Sequence, residues 1–477
     1  MTKILWDSKD AALATGGKNT CKWVASGISI DTRTLKKGDI FIAINDNRDG
    51  HDFVLKAFEN GAAAAIVSRI PDGVCDTKPL LIVQDVTSAL NGLAAFARKR
   101  CQAKVIAITG SVGKTSSKDM LETVLLTFGK VSKAEKSFNN HIGVPLTLAK
   151  APTDTNFLIV EIGMSNKKEI YPLSVLVRPD IALITNVSEA HLAAFNNVDE
   201  IAREKSDICA GLVKEGQCIV SKDSDSYSKL IRFIRGFGIK AVSYGENSPV
   251  DYRLIKTAII NNKTCAQALL MNGDEFFFKV NSPGSHHAQN ALGVIAVLEL
   301  LGLDAMNGIL GLSNWVPTSG RGVITSVTCD KQYVPRTFTI IDETYNANPS
   351  SMIAAINVLA NFDLSREPTQ QNRRFRRIAI LGDMLELGLQ ENKKHAELVK
   401  KLILDDIDLV HCVGLRMKFF YENLPVTKRG KWTKSVMEFS KTAKELIKDN
   451  DVVMLKASNG VGLDRLLVEL KAMGVPN

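Results

Sequence analysis

The chain has 477 residues, 45% hydrophobic and 23% charged, with a formal net charge of +9. At roughly 100 to 200 residues per domain the length calls for about three cores, and the composition is that of an ordinary soluble globular protein. The longest apolar run, "ALGVIAVLELLGL", is too short to span a bilayer, and dispersed basic residues with only 6% aromatics argue against a nucleic-acid footprint.

The opening stretch, "MTKILWDSKDAALAT", holds no apolar run of signal-peptide length, so a cytoplasmic location is expected, with no stable membrane association. Eight cysteines, at 21, 75, 101, 209, 218, 265, 329 and 412, form no C-x-x-C pair and no zinc-spaced cluster, and read as structural thiols of a reducing compartment. Short strand-like runs follow, "ISIDTRT", "DIFIAI", "AAAAIVS" and "PLLIVQD", with one helical stretch, "HDFVLKAFENGA". They predict a small α/β unit over residues 1–98, closed by the helix "TSALNGLAAFARKRC".

From "AKVIAITG" onward the strands are unbroken apolar runs, including "NFLIVEIG" and "IALITNVS", alternating with helical patterns. Runs without polar alternation predict a doubly wound parallel sheet covered on both faces, over 99–316. "SNWVPTSGRG" interrupts regular structure through Pro317, Gly320 and Gly322. Beyond it "FTIIDETYN", "RRIAILGD", "DLVHCVG" and "DVVMLKAS" alternate with the helices "PSSMIAAINVLANF" and "VGLDRLLVELKAM", predicting a separate Rossmann-like α/β domain over 317–477. The polar "SREPTQQNRRFRR" inside it reads as a solvated insertion.

Chemistry concentrates at strand ends. In "AITGSVGKTSSKDML" the residues Gly110, Ser111, Val112, Gly113, Lys114, Thr115 and Ser116 form a phosphate-gripping turn between a strand and a helix that starts near Lys114. Ile108 stands where a strict Walker A loop needs glycine, and is read as a buried strand residue. The glycines admit the backbone to the phosphates, Lys114 supplies a point charge, and the Thr115 hydroxyl suits Mg²⁺. Glu161, after five apolar residues, is costly to bury without a cation, which is either a metal or a structural Lys or Arg. His191 falls on the same sheet edge, although a lone histidine is more often structural, and Lys205 alone would pass for a helical surface lysine. Asp342, Tyr345, Asn346, Asn348 and Asp383 crowd strand ends of the third unit, where they either bind ligands or cap helices. Arg321 follows the glycine-rich hinge, placed to bring a guanidinium to a γ-phosphate.

Together these motifs resemble the Mur ligase superfamily, most closely its MurF branch. The resemblance runs the whole length through "TGSVGKTS", "IDTRTLKKGDIFIAI", "FNNHIGVPLTL", "VEIGMS", "TNVSEAHL", "GSHHAQNAL", "SGRG", "DETYNANPSSM" and "LGDMLELG". It implies an ATP-dependent ligase that adds D-alanyl-D-alanine to UDP-N-acetylmuramoyl-tripeptide through an acyl phosphate; a monomer with no nucleic-acid partner is expected. It further implies that Gly110 to Ser116 hold the triphosphate of ATP, with Thr115 and Glu161 on one Mg²⁺ and His191 on a second. Lys205 matches a lysine that becomes carbamylated. Asn290, Arg321, Asp342, Tyr345 and Asn346 would serve the nucleotide. Asp31, Thr32 and Arg33, with Asp49, Gly50 and His51, would line the uridine-diphosphate pocket, Asn139, Asn140 and His141 the substrate cleft, and Lys456 and Ser458 the dipeptide side. The chain departs from the usual pattern at Asn45, His287, Ala457 and Asn459. Rival readings are a Mur-type or folylpolyglutamate-like ligase for another amino acid, and a P-loop NTPase without ligase activity.

Overall fold

A computed structural model of the chain describes residues 3–75, 77–135, 137–189, 192–329, 336–364 and 375–476. Most of the polar insertion read at 365–377, and His191, lie outside the described residues. Three mixed α/β layers follow one another, each built on its own sheet.

The first sheet runs Lys18–Asn19, Leu80–Ile82, Ala64–Val67, Asp39–Ile42, Gly27–Ser29, parallel except for its first strand. Ile40 and Ile42 face one core and Phe41 the other, as period-2 alternation requires. The Ile40 core is closed partly by Leu146 and Ala149 from the helix Gly143–Lys150, and the indole of Trp6 donates to the Ala149 carbonyl at 3.0 Å.

The second sheet has nine strands. Seven parallel strands run Val131–Lys133, Phe157–Glu161, Lys104–Thr109, Ile181–Ile184, Gln217–Ser221, Val242–Gly245 and Tyr252–Ile260. Two antiparallel strands, Lys263–Leu269 and Glu275–Val280, extend it. Both faces of Lys104–Thr109 are covered: Ile106 and Ile108 pack on the helices Lys114–Leu125 and Ser285–Leu300, Val105 and Ala107 on the side of Ile170–Val177. This explains the unbroken apolar runs. Ile108 is fully buried, as read, but the strand continues through the equally buried Thr109.

The third sheet runs Arg429–Thr433, Leu409–Val413, Arg376–Gly382, Asp451–Lys456 and Arg336–Glu343 in parallel, then Val323–Cys329 and Val475–Pro476 antiparallel. Ile340, Ile378 and Ile380 face one core, Ile341, Ala379 and Leu381 the other. All eight cysteines are free thiols, in keeping with their scattered spacing.

Strand order places the chemistry. The chain leaves Lys104–Thr109 for Val131–Lys133 and returns to Phe157–Glu161 on one side of it, then crosses over to Ile181–Ile184 on the other. A crevice opens at the carboxyl end of such a switch point, and the loop 110–113 lies in it.

Candidate active site

The loop after Lys104–Thr109 turns directly into the helix Lys114–Leu125. Gly113, at φ 86°, is the N-cap, and a Cβ there would come within 2.6 Å of Asn290 Oδ1. A Cβ on Gly110 would meet Thr185 Oγ1 at 2.0 Å, so both glycines are fixed by close approach. The loop is tied to the neighbouring strand end: Ser111 N donates to Asn186 O at 2.6 Å, Ser111 Oγ to Ser188 O at 2.9 Å, and Thr185 Oγ1 to Val112 O at 2.6 Å. These ties leave the helix's first N–H groups, which have no intrahelical acceptor, at the head of the crevice. Lys114 folds back so that its ammonium donates to Gly110 O at 2.6 Å.

Glu161 ends the adjacent strand and is 1% exposed. Thr115 Oγ1 donates to its Oε2 at 3.0 Å and Asn139 Nδ2 to its Oε1 at 2.8 Å, while Lys118 Nζ lies 3.4 Å from Oε2. Burial pushes this carboxyl up, but the charges of Lys114 and Lys118, the Asn139 amide and the Arg321 guanidinium outweigh it and hold the group below the usual carboxylate range. Of the two cations weighed for Glu161, a structural lysine is therefore present, beside a hydroxyl suited to a metal.

Lys205 lies on the helix Val198–Ser206 and is 1% exposed, so the reading of a surface lysine does not hold. Its ammonium takes no hydrogen bond or ion pair among the described residues. Burial, and then the charge of Lys114, push its pKa well below the ordinary lysine value, against a small opposing effect of Glu204. Glu204 is engaged elsewhere, accepting from the amides of Lys168, Glu169 and Ile170 at 2.7, 2.9 and 2.9 Å.

The C-terminal layer meets the loop from across the crevice. Ser350 Oγ lies 3.0 Å from Ser188 Oγ, Lys394 pairs with Glu189 at 2.6 Å, and the Tyr345 hydroxyl donates to Ser137 Oγ at 2.7 Å. The Arg321 guanidinium stacks on the Tyr345 ring, 4.0 Å from its centre. Asp342 is fully buried and accepts from Gly320 N at 2.7 Å, Ser319 Oγ at 3.3 Å and Thr344 Oγ1 at 2.7 Å, so it braces the turn that carries Arg321. Lys456 Nζ donates to Glu343 Oε2 and to Asn346 O, both at 3.1 Å, and Ser458 Oγ to Ala347 O at 3.2 Å. Asn348 caps the helix Pro349–Ala360 in a capping box with Ser351, and Asp383 Oδ1 accepts from Met417 N at 2.8 Å, so both have the capping contacts weighed for them.

Asn139 reaches the loop region through Glu161, while Asn140 Oδ1 accepts from Gly143 N at 2.9 Å and caps the next helix. His141 is exposed. In the first layer Arg33 pairs with Asp31 at 2.6 Å, Thr32 O accepts from Asn60, and Gly50 admits no Cβ because Ile44 O would be 2.4 Å away. His51 is 4% exposed: its Nδ1 lies 2.6 Å from Asp49 Oδ1 and its Nε2 accepts from Ser68 N at 2.9 Å. It holds the wall of that loop and presents neither ring nitrogen outward. Sequence reading passed over Lys118, Ser137, Ser188 and Ser350. Only Lys118 carried a signal, its i+4 spacing from Lys114 on one helical face; the serines are joined across the crevice by tertiary structure alone.

Among the described residues no group of three or more His, Cys, Asp or Glu side chains forms a metal-binding cluster. No helix among them is long and apolar enough to cross a membrane.

The family model described as the Mur ligase middle domain matches residues 108–298, and that of the Mur ligase glutamate ligase domain matches residues 331–459. The chain is 32% identical to the "UDP-N-acetylmuramoyl-tripeptide--D-alanyl-D-alanine ligase" of Rickettsia prowazekii, covering 97% of this chain and 99% of the relative. It is 31% identical to the protein of the same name from Bacillus subtilis, covering 94% and 93%. The crystal structure of MurF from Acinetobacter baumannii resembles it with a TM-score of 0.83 at 27% identity, covering 99% of each chain.

Proposed function

Because this chain belongs to the Mur ligases, we infer that it joins D-alanyl-D-alanine to UDP-N-acetylmuramoyl-tripeptide, with hydrolysis of ATP to ADP and phosphate. It is an ATP-dependent amide ligase of peptidoglycan synthesis. The observation that carries the reading is the pairing of Glu161 and Thr115, 3.0 Å apart at the foot of the phosphate loop, with the Arg321 charge reaching Glu161 from the hinge.

The amides of the loop 110–116 and Lys114 would hold the β- and γ-phosphates, and Asn290 would flank the nucleotide beside Gly113. The terminal carboxylate of the tripeptide attacks the γ-phosphorus and ADP leaves, giving an acyl phosphate. The free amine of D-alanyl-D-alanine attacks that acyl carbon. The tetrahedral intermediate then expels phosphate, and the nitrogen loses a proton to leave the amide. Such displacement needs positioning and neutralisation of phosphoryl charge more than covalent help. Arg321, oriented by Tyr345 and braced through Asp342, would meet the γ-phosphate side.

Thr115 and Glu161 offer hard oxygen donors at the helix start, a set that suits Mg²⁺, which keeps most of its waters and takes phosphate oxygens as ligands. Bound there, the ion would neutralise phosphate charge. A second Mg²⁺ would involve His191 and Lys205. Burial lowers the Lys205 pKa and so favours the neutral, nucleophilic amine, which would add to CO₂, release a proton and become a carbamate. Asp31, Thr32, Arg33, Asp49 and Gly50 would line the uridine-diphosphate end and Asn140 and His141 the cleft, with residues 1–98, 99–316 and 317–477 as the working units. Lys456 and Ser458, tied to the 343–347 segment, would shape the dipeptide side. We place the enzyme in the cytoplasm as a monomer, since its substrates are cytoplasmic nucleotides and the crevice is built within one chain.

The test is phosphate release with product mass analysis on purified protein given ATP and UDP-N-acetylmuramoyl-tripeptide. The expected result is release only when D-alanyl-D-alanine is added, with formation of the pentapeptide. Release with a single amino acid instead would move the chain to a different ligase, and release without any acceptor would leave it an NTPase.

A further inference from the structure

The last three strands of the central sheet, Tyr252–Ile260, Lys263–Leu269 and Glu275–Val280, take no part in the ligase chemistry. One of their faces is core: Leu254, Ala266, Ala268, Phe276, Phe278 and Val280 pack with the helices Ser285–Leu300 and Ala305–Leu312. Inner strands such as Ile181–Ile184 bury both faces, but here the second face lies open. Register sets Lys256, Gln267 and Phe277 side by side on it, then Ala258, Cys265 and Lys279, and a hollow of about 420 Å³ runs between them. Phe277 is 70% exposed and Ile260 52%. An apolar patch rimmed by charge is the mark of an interaction surface.

Two further features fix what covers it. Glu275–Val280 is the edge of the sheet and pairs with Lys263–Leu269 in unbroken register, so a row of its backbone N–H and C=O groups faces outward with no strand beside it among the described residues. Arg253, Lys256, Lys263 and Lys279 share the open face, and none of them has an ion pair or side-chain hydrogen bond among the described residues. Surface lysines elsewhere are paired, Lys104 with Asp180 and Lys229 with Asp199. The carboxylate on this face, Glu275, accepts from Gln267 Nε2. A second copy of the chain would set the same four cations beside these, so the charge favours an acidic partner over self-pairing.

We propose that this edge is a docking site for another protein, which adds an extended acidic segment as a further strand beside Glu275–Val280, with an apolar side chain against Phe277 and carboxylates toward Lys279 and Lys256. The occupant is extended and not helical, because the edge offers backbone partners that only a strand can take.

Fluorescence anisotropy on the full chain tests it, with a labelled peptide repeating Glu-Val-Phe-Val-Glu and its counterpart carrying Lys for Glu. The acidic peptide should bind at least about tenfold more tightly than the basic one, since the sign of every charge pairing is reversed between them. Lys279→Glu should weaken the acidic peptide by about tenfold or more, and Phe277→Ser should weaken it as well. Both side chains are exposed, so melting temperature and ligase activity should stay at wild-type values. Hydrogen exchange should slow in residues 275–280 when the acidic peptide is added. Equal binding of the two peptides, no binding at millimolar peptide, binding that Lys279→Glu leaves unchanged, or protection confined to another segment overturns the proposal. Protection of 275–280 that appears with rising protein concentration and no peptide overturns it too, and assigns the edge to a second copy.

Discussion

The carboxyl edges of the central and C-terminal sheets occupy equivalent places in two doubly wound layers, yet they treat charge in opposite ways. At the C-terminal edge the groups satisfy one another: Asp342 holds Gly320 and Thr344, Lys456 holds Glu343, and Asn348 caps its own helix. At the central edge they do not. Among the described residues Lys205 is buried without a hydrogen bond or ion pair, Lys114 donates to a loop carbonyl, and Glu161 is outnumbered by cations. Buried charge left unmatched is tolerated where a ligand supplies the missing partner, so the central edge reads as the place of chemistry and the C-terminal edge as the frame that aims Arg321 at it.

The largest expected effect is at the central edge. Lys114→Ala should lower kcat/KM by roughly a thousandfold, since it removes a preorganised charge from the phosphate site, with melting temperature nearly unchanged. Full activity in steady-state assays would falsify the placement of the triphosphate. Lys205→Ala should lose about a hundredfold in kcat, as expected for a residue that organises a metal site. Millimolar acetate or formate should restore part of it, and an active variant needing no rescue rejects the carbamate.

At the C-terminal edge the sign of the readout changes from activity to stability. Asp342→Ala leaves the Gly320 amide and the Thr344 hydroxyl without their buried acceptor and should cost about 3 kcal/mol, measured by urea unfolding; a loss of activity at wild-type stability would mean that Asp342 meets a ligand directly. The smallest effect concerns pH. His411 is buried against Phe439, with Nδ1 accepting from Lys431 N at 2.8 Å, and burial, then Arg376 and Lys431, push its pKa down to about 4. The unfolded chain takes up this proton near the ordinary value of 6.5, before the fold does. Stability is thus complete above that value and falls by about 1 to 3 kcal/mol as the pH drops toward 4. His411→Gln should flatten that part of the stability profile, and an identical slope in the variant would place the acid sensitivity elsewhere.

Much of this contrast was legible in the residues. "KVIAITG" and "NFLIVEIG" announced buried parallel strands because both faces of such strands are apolar, and "GSVGKTS" announced the phosphate loop because its glycines and lysine act over a few residues. The last parallel strand, Tyr252–Ile260, and the antiparallel pair that follows it to Val280 were not read. A register shift between Leu254 and Lys256 breaks the period-2 alternation that would have revealed the first of these strands. Lys205 was misjudged from its own helix, whose pattern contains no sign that the central layer would close over it.

The sequence by itself determined the buried parallel strands around the phosphate loop and the kind of chemistry, since periodicity and loop motifs are local properties. Tertiary structure alone decided that Phe157–Glu161 and Ile181–Ile184 flank the loop strand, that Lys118 meets Glu161, and that Ser350 and Tyr345 reach Ser188 and Ser137. Those pairings join residues far apart in the chain, and they are set by how complete layers pack and exclude water, which no short stretch of residues encodes.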